Sequence, residues 1–383
     1  MSEEKKKRYR IIFTGGGTGG HIFPLVSIIR ELKKLLPDEF LDVYYIGPKD
    51  PLSMEYLDGE GVDVKYISTG KVRRYKGFNA ILQNFIDIAF RIPLGICQSF
   101  FYIYFLSPDL IFSKGGHGSF PAVLTGKLFQ IPIFLHESDS VLGAANKFLK
   151  SFFAEIFSSF PETEGVDSDK FVVVGNPVRK AVMGEGRGEG KEAMGIKSEK
   201  PVILVLGGSQ GSERINELLL SSITGILQDF EVIHQCGENN YDAVNKEVKA
   251  VISDEGLKER YHPYPFLDEK TLRSAYACAD LIVSRAGSGS IFEIAVNGRA
   301  CIFIPLPEAA QNHQVKNAYQ YSSRGTSIVL EEENLSSHFF QGKINELFSP
   351  IDQIRNMEKN ARNFSKPRAG YIIASYLKEY LTR

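Results

Sequence analysis

Short apolar runs rich in β-branched and aromatic residues alternate along the chain with longer stretches of helical periodicity. The first set falls at 10–14 (RIIFT), 42–46 (DVYYI), 109–113 (DLIFS), 131–135 (IPIFL) and 171–174 (FVVV). A second set follows at 202–206 (VILVL), 231–235 (EVIHQ), 280–284 (DLIVS) and 300–304 (ACIFI). Their hydrophobicity is continuous rather than alternating, which marks strands covered on both faces, as in a parallel sheet wrapped by helices. The alternation of strand and helix implies βαβ units. The class is therefore α/β, with two doubly wound domains. Residues 179–201 (RKAVMGEGRGEGKEAMGIKSEKP) are rich in glycine and charge, and a linker or loop belongs there.

Two helical stretches carry more than periodicity. Residues 92–106 (IPLGICQSFFYIYFL) form an apolar run bounded by Arg91 and Asp109 and interrupted by Gln98 and Ser99. A spanning helix needs roughly 20 apolar residues, so a buried core helix is expected. The final stretch, about 354–381, carries an amphipathic stripe of Tyr371, Ile372, Ala374, Leu377 and Leu381. It either closes the second domain or crosses back to the first.

Composition narrows the class. A length of 383 residues suits two or three domains at about 150 residues each. With 43% hydrophobic and 24% charged residues and 35 glycines, the chain is globular rather than disordered. Forty-five Lys and Arg against 46 Asp and Glu leave a net charge of -1, which argues against a general nucleic-acid binder. Cys97, Cys236, Cys278 and Cys301 are scattered without a CxxC pair, as suits a reducing cytosol. The opening MSEEKKKRYR has no apolar signal core or cleavage site, so a protein that is not secreted is expected.

Three glycine turns follow strands. Gly15, Gly17 and Gly20 satisfy G-x-G-x-x-G between a strand and a helix, the arrangement that lets backbone amides reach a pyrophosphate. A dinucleotide reading also needs a carboxylate at the tip of the next strand. That strand ends Ile46-Gly47-Pro48, so a plain diphosphate against this loop fits better. The second turn is Gly207-Gly208-Ser209-Gln210-Gly211-Ser212, and the third is Arg285-Ala286-Gly287-Ser288-Gly289-Ser290 with Glu293 beyond. At the third, two readings stand. Ser290 and Glu293 form a capping box, or the amides hold an anion while Glu293 takes the hydroxyls of a ribose.

His21 sits at the start of the helix after the first turn. The helix dipole disfavours its cation, so the neutral imidazole is expected near pH 7. Such a group serves as a general base, as a diphosphate ligand, or merely closes the turn. The other histidines show no metal spacing, and Asp167-Ser168-Asp169 is a solvated DxD, so neither a catalytic metal nor a cofactor is expected. Lys71, Arg73, Arg74 and Lys76 precede a helical pattern of Phe78, Ile81, Leu82, Phe85 and Ala89. Cations flanking such a stripe suit an anionic membrane surface; an ordinary core-facing helix with a basic loop is the other reading.

Six segments in order resemble one bacterial family: GGGTGGHIFP (15–24), HESDSVLGAANKFL (136–149), VVGNPVRK (173–180), GGSQGS (207–212), SRAGSGSIFEIAVNG (284–298) and NHQVKNA (312–318). The family is the MurG-type UDP-N-acetylglucosamine:N-acetylmuramyl-(pentapeptide) pyrophosphoryl-undecaprenol N-acetylglucosamine transferases. The resemblance implies a GT-B fold of two Rossmann-like domains facing across a cleft. Residues 1–178 would bind acceptor and membrane, and 179–363 would bind UDP-GlcNAc, with the terminal helix (about 364–383) packing back on the first domain. It implies inverting transfer of GlcNAc from UDP-GlcNAc to the undecaprenyl-linked muramyl pentapeptide in peptidoglycan synthesis, by a peripheral enzyme on the cytoplasmic face of the plasma membrane.

Carried over by position, Thr18, Gly19 and Gly20 would lie near the sugar and acceptor diphosphate, with His21 as base or phosphate ligand. Ser209 and the amides of Ser288, Gly289 and Ser290 would hold the donor diphosphate. Glu293 would take the ribose, Leu267 the uracil, and Arg179 and Gln314 would complete the donor site. Departures from the pattern are Asp139, where the family's H-E-x-N motif has Asn and a sugar contact, His117 in the loop after the third strand, and the segment 185–200. Competing functions are a related GT-B transferase with another lipid or polysaccharide acceptor, a UDP-GlcNAc 2-epimerase, and a non-catalytic sugar-nucleotide or scaffold protein.

Overall fold

The computed structural model describes residues 8–16, 19–71, 73, 78–165, 170–184, 186–208, 211–349 and 351–383. Two compact units divide the chain. One runs to Val178 and resumes over Lys366–Arg383; the other is Arg179–Ser365.

In the first unit, seven strands pair in parallel in the order β3-β2-β1-β4-β5-β6-β7. They are β1 (Tyr9–Thr14), β2 (Leu41–Gly47), β3 (Asp63–Tyr66), β4 (Leu110–Ser113), β5 (Ile133–Glu137), β6 (Glu155–Ser158) and β7 (Phe171–Val173). Central β1 lies in register with both neighbours, Ile11 opposite Val43 on one side and Leu110 on the other. Successive side chains of a strand point to opposite faces. Ile11 and Phe13 accordingly join Ile22, Leu25 and Ile29 of the helix Gly19–Leu35, while Ile12 joins Ile111, Val123 and Ile133 on the other side. Both faces are buried, which is why β1 reads as an unbroken apolar run. The terminal helix Ala369–Thr382 belongs to this unit, its Ile373, Ala374, Leu377 and Leu381 packing into the same core as Leu25 and Ile29.

The second unit is a six-stranded sheet in the order β10-β9-β8-β11-β12-β13. Its strands are β8 (Val202–Leu206), β9 (Glu231–Gln235), β10 (Tyr261–Tyr264), β11 (Leu281–Ser284), β12 (Ala300–Phe303) and β13 (Ser327–Val329). Both sheets share one topology. Strand order reverses beside the first strand of each, between β1 and β4 and between β8 and β11, and ligands of doubly wound sheets bind beyond the carboxyl ends at that reversal.

Several expectations need correction. β3, β6, β10 and β13 were not anticipated. Each is three or four residues long; β3, β10 and β13 are sheet edges with partly exposed residues, and Pro263 interrupts the apolar pattern of β10. Residues 179–201 are not a free linker. The helix Arg187–Ala193 lies within them, with Gly190, Met194 and Ile196 buried and Arg187 paired to Asp280 at 2.7 Å.

The largest correction concerns 92–106, which is not a core helix. Phe78–Ile86, a π-helical turn Asp87–Arg91 and Ile92–Leu106 follow one another. The stretch Asn79–Leu106 is long and apolar enough to cross a membrane by length and composition, yet only 17% of its most apolar window is buried. In Ile92–Leu106 the buried residues are Gly95, Ser99 and Ile103, a stripe at four-residue spacing. Gly95 packs against Ser68, and the side chain of Gln98 accepts the Ser68 N–H at 2.6 Å. The small and polar positions thus face the protein together with Ile103, and most of the other large apolar ones face out. Phe105 is 74% exposed and Ile81 is 68% exposed. A helix apolar all round carries no stripe to say which face packs.

Candidate functional site

At the carboxyl end of β1 the chain turns through Gly15 and Gly16 into the helix Gly19–Leu35. Tyr45 Oη donates to the Gly15 carbonyl at 2.7 Å and pins the turn from the neighbouring strand. Gly16 has φ +120°, and a β-carbon there would lie 2.6 Å from that same Tyr45 oxygen. Glycine is thus required twice, for backbone and for space. Thr18 and Gly17 lie outside the described residues; Gly19 and Gly20 form the first turn of the helix.

The adjacent turn, after β4, packs against the first. Lys114 N–H donates to the Thr14 carbonyl at 2.8 Å. Gly116, at φ +80°, passes so close to His21 that a β-carbon would come within 3.0 Å of its Nε2. His21 is held well into the neutral form, its pKa lowered to about 3 by burial first, then by the positive charge of Lys114 and by His117. Neutrality was expected from the helix dipole; burial and a neighbouring ammonium are the larger causes.

Beneath these turns lies a polar floor that spacing did not point to. Lys114 and Glu137 are buried, and His136 is wholly so. His136 Nε2 donates to the Gly175 carbonyl at 3.0 Å, and burial, then Lys114, pushes its pKa down. Lys114 Nζ donates to Ser138 Oγ and weakly to the His136 carbonyl, and burial pulls its pKa down to about 8. The Glu137 carboxylate accepts Asn146 Nδ2 at 2.7 Å, Gly143 N–H at 3.0 Å and Asp139 N–H at 3.3 Å. Burial and then Asp139 raise its pKa. Asp139 is thereby placed by its backbone, with a partly exposed side chain.

The second unit repeats the device twice. After β8 come Gly207 and Gly208, then Ser212 as N-cap of the helix Glu213–Leu220, its hydroxyl accepting Ile215 N–H; Ser209 and Gln210 lie outside the described residues. Arg285, after β11, donates to Ser212 Oγ at 2.7 Å and pairs with Glu332. The helix Ser288–Val296 starts from Gly287 and has no side-chain cap. The capping-box reading is thus not realised: Ser290 lies inside the helix, and Glu293 turns elsewhere. Its carboxylate accepts Arg179 at 2.9 and 3.2 Å and Tyr276 Oη at 3.4 Å. The first-turn N–H groups of Ser288, Gly289 and Ser290 have no intrahelical partner by helix geometry.

Arg179, also bonded to Glu269 at 3.3 Å, stays firmly charged: burial works against it, but Glu293 and Glu269 raise its pKa. Gln314 Oε1 accepts Leu306 N–H at 3.0 Å. The Leu267 side chain is 2% exposed; its N–H donates to Gln235 Oε1 at 3.3 Å, and Gln235 in turn donates to the Gly208 carbonyl. Gln235 thus ties the segment holding Leu267 to the β8 turn. That link, like Tyr276 on Glu293, joins residues far apart in sequence and has no local signature. Among the described residues no three His, Cys, Asp or Glu side chains gather as a metal site.

On the membrane side of the question, Arg74 and Lys76 lie outside the described residues. Arg73 is not a free surface cation. It pairs at 2.6 Å with Asp87, which is 1% exposed and also bound by Arg91 at 2.9 Å. Burial raises the Asp87 pKa, but the Arg73 hydrogen bond and its companions hold it below the ordinary value.

Comparison with known proteins agrees over nearly the whole chain. Residues 11–158 match the model of the glycosyltransferase family 28 N-terminal domain, and 202–370 match its C-terminal domain. A Clostridium tetani protein named UDP-N-acetylglucosamine–N-acetylmuramyl-(pentapeptide) pyrophosphoryl-undecaprenol N-acetylglucosamine transferase is 35% identical, over 92% of this chain and 94% of its own. A Clostridium botulinum (strain Loch Maree) protein of the same name is 34% identical, over 96% and 99%. The crystal structure of Acinetobacter baumannii MurG superposes with a TM-score of 0.74 at 22% identity, covering 97% of this chain and 99% of that one. The fold is the GT-B type of two Rossmann-like domains.

Proposed function

Because the chain belongs to the MurG-type family of glycosyltransferases, we propose that it transfers GlcNAc from UDP-GlcNAc to the C4 hydroxyl of undecaprenyl-pyrophosphoryl-MurNAc-pentapeptide, with inversion, in peptidoglycan synthesis. The first unit takes the acceptor and the second the donor. One observation carries the mechanism: a neutral imidazole, His21, stands between two glycine turns at the switch point of the first sheet.

The acceptor oxygen attacks the anomeric carbon of GlcNAc from the side opposite UDP. As that C–O bond forms, the hydroxyl proton passes to the His21 imidazole, a role that typically contributes about 10²–10⁴ in rate. The bond from the anomeric carbon to the diphosphate oxygen breaks, and UDP leaves with the electron pair. First-turn amides of Ser288, Gly289 and Ser290 stabilise the growing negative charge. Glu293 receives the ribose hydroxyls. Arg179 and Tyr276 already occupy its carboxylate, but an ionised carboxylate has about four acceptor positions, so room remains. Arg179 therefore aims Glu293. Thr18, Gly19 and Gly20 line the acceptor diphosphate. Ser209 and Gln314 complete the donor site, with Leu267 at its uracil end.

The outward apolar face of the Asn79–Leu106 stretch, with Ile81, Phe85, Phe90, Leu94, Phe101 and Phe105 exposed, docks on the cytoplasmic leaflet and brings the first unit to its lipid-borne acceptor. A soluble monomer rarely leaves so large a contiguous apolar patch in water. The enzyme is then peripheral, held by apolar insertion and by anionic headgroups near Lys71 and Arg91.

Incubation with UDP-GlcNAc and the lipid-linked muramyl pentapeptide tests the activity. A β-linked disaccharide on the lipid is the expected product. UDP-GlcNAc consumed without acceptor, or exchange of the C2 proton alone, would overturn the reading.

A further inference from the structure

The floor of the first unit holds an ammonium that no step above uses. Lys114 is 2% exposed and seated against the β1 turn by its own backbone bond to Thr14. Its Nζ reaches two neutral oxygens, Ser138 Oγ and the His136 carbonyl. Among the described residues no carboxylate lies within ion-pairing distance of it. The nearby Glu137 carboxylate is instead taken up by three N–H donors, Asp139 and Gly143 of the loop that follows and Asn146 of the helix beyond. A buried cation whose nearest carboxylates act only from beyond ion-pairing distance is costly in the free protein, and a bound anion offsets that cost.

Resting on the acceptor-site reading above, we infer that Lys114 is the fixed cation beneath the pyrophosphate of the lipid-linked acceptor. Lys114 does not touch the reacting atoms; it positions and polarises from below. The charged and titratable groups around it are His21 from the helix Gly19–Leu35, His117 from its own loop, and His136, Glu137 and Asp139 from β5 and the turn beyond. The histidines are neutral here, and Glu137 and Asp139 favour the ammonium. As pH rises through about 8, Lys114 in the free enzyme loses its charge, and acceptor capture falls with it.

Lys114→Met and Lys114→Gln test this in the full-length enzyme with UDP-GlcNAc and the lipid-linked muramyl pentapeptide. The expected result is a KM for the acceptor raised about tenfold, as for loss of one charge-assisted contact, with the KM for UDP-GlcNAc unchanged. In wild type, kcat/KM for the acceptor declines above about pH 8; in Lys114→Arg that decline moves upward, and in Lys114→Met it disappears. ¹⁵N-imidazole spectra of Lys114→Met show the His21 titration midpoint raised. An acceptor KM equal to wild type, or both KM values raised alike, would overturn the inference. So would failure of both neutral variants to fold, since the ammonium would then be a structural group. Wild-type enzyme that makes no disaccharide overturns the underlying reading instead.

Discussion

In the first unit the turn after β4 sits over an ammonium with no carboxylate in ion-pairing reach, among the described residues. In the second, the helix after β11 carries a carboxylate already held by a guanidinium and a phenol. Both turns occupy the same topological place in their sheets. The first is a cation balanced only by carboxylates beyond ion-pairing distance, and the second is a carboxylate paired directly with its guanidinium. Removing a charge should therefore have opposite effects on stability in the two units, although both removals weaken binding.

The largest expected effect breaks the chemistry without touching the balance on either side. His21→Ala lowers kcat about 10²–10⁴-fold and leaves the KM for UDP-GlcNAc near wild type, measured by steady-state disaccharide formation. Next is the membrane face. Replacing Phe85, Phe101 and Phe105 together by Ser reduces partition onto anionic vesicles by about a hundredfold in flotation, from roughly 1 kcal/mol or more of apolar transfer at each site. Thermal unfolding shifts little, because these side chains are exposed.

Glu293→Ala sharpens the second half of the comparison. UDP affinity, read by calorimetry, weakens about ten- to a hundredfold, matching one or two lost hydrogen bonds to a charged group. Stability falls too, by about 1–3 kcal/mol, since Arg179 is left mostly buried and short of a partner. The last effect is on the other side, and it is one of stability rather than activity. Lys114 has a folded-state pKa of about 8 against an ordinary 10.5, so its burial opposes folding while it is charged. Wild-type stability should rise between pH 8 and 10.5 as that proton is lost, by no more than roughly 3 kcal/mol. Lys114→Met should lack this rise and be no less stable at pH 7, as urea midpoints at the two pH values will report. A less stable Lys114→Met would erase the contrast.

Much of this was legible in sequence where one residue type answers one local demand. Nine apolar runs correspond to nine of the strands, and all but β7 do so because residues buried on both faces leave an unbroken pattern; β7 is an exposed edge whose run is apolar all the same. Glycines of the turns announced themselves because positive φ and close approach admit little else. The edge strands β3, β10 and β13 escape notice for the converse reason, being short and partly exposed, whereas β6 is buried and escapes by its shortness alone. Lys114 is a plain lysine in sequence, and only the packing of β4 against β1 and β5 buries it. Ile92–Leu106 misled because its apolar content is uniform; the side that packs is set by Gly95 and Ser99, small residues that no hydrophobic pattern selects.

The helix Ala369–Thr382 completes the core of a sheet from which it is separated by the whole of the second unit. During synthesis the second unit emerges as one continuous stretch and can collapse as soon as it clears the ribosome. The first sheet must wait meanwhile with the groove beside Leu25 and Ile29 unfilled. The earlier-made half of the molecule is thus the later one to finish folding, and a chain cut short within the second unit would leave it open to chaperones and proteases.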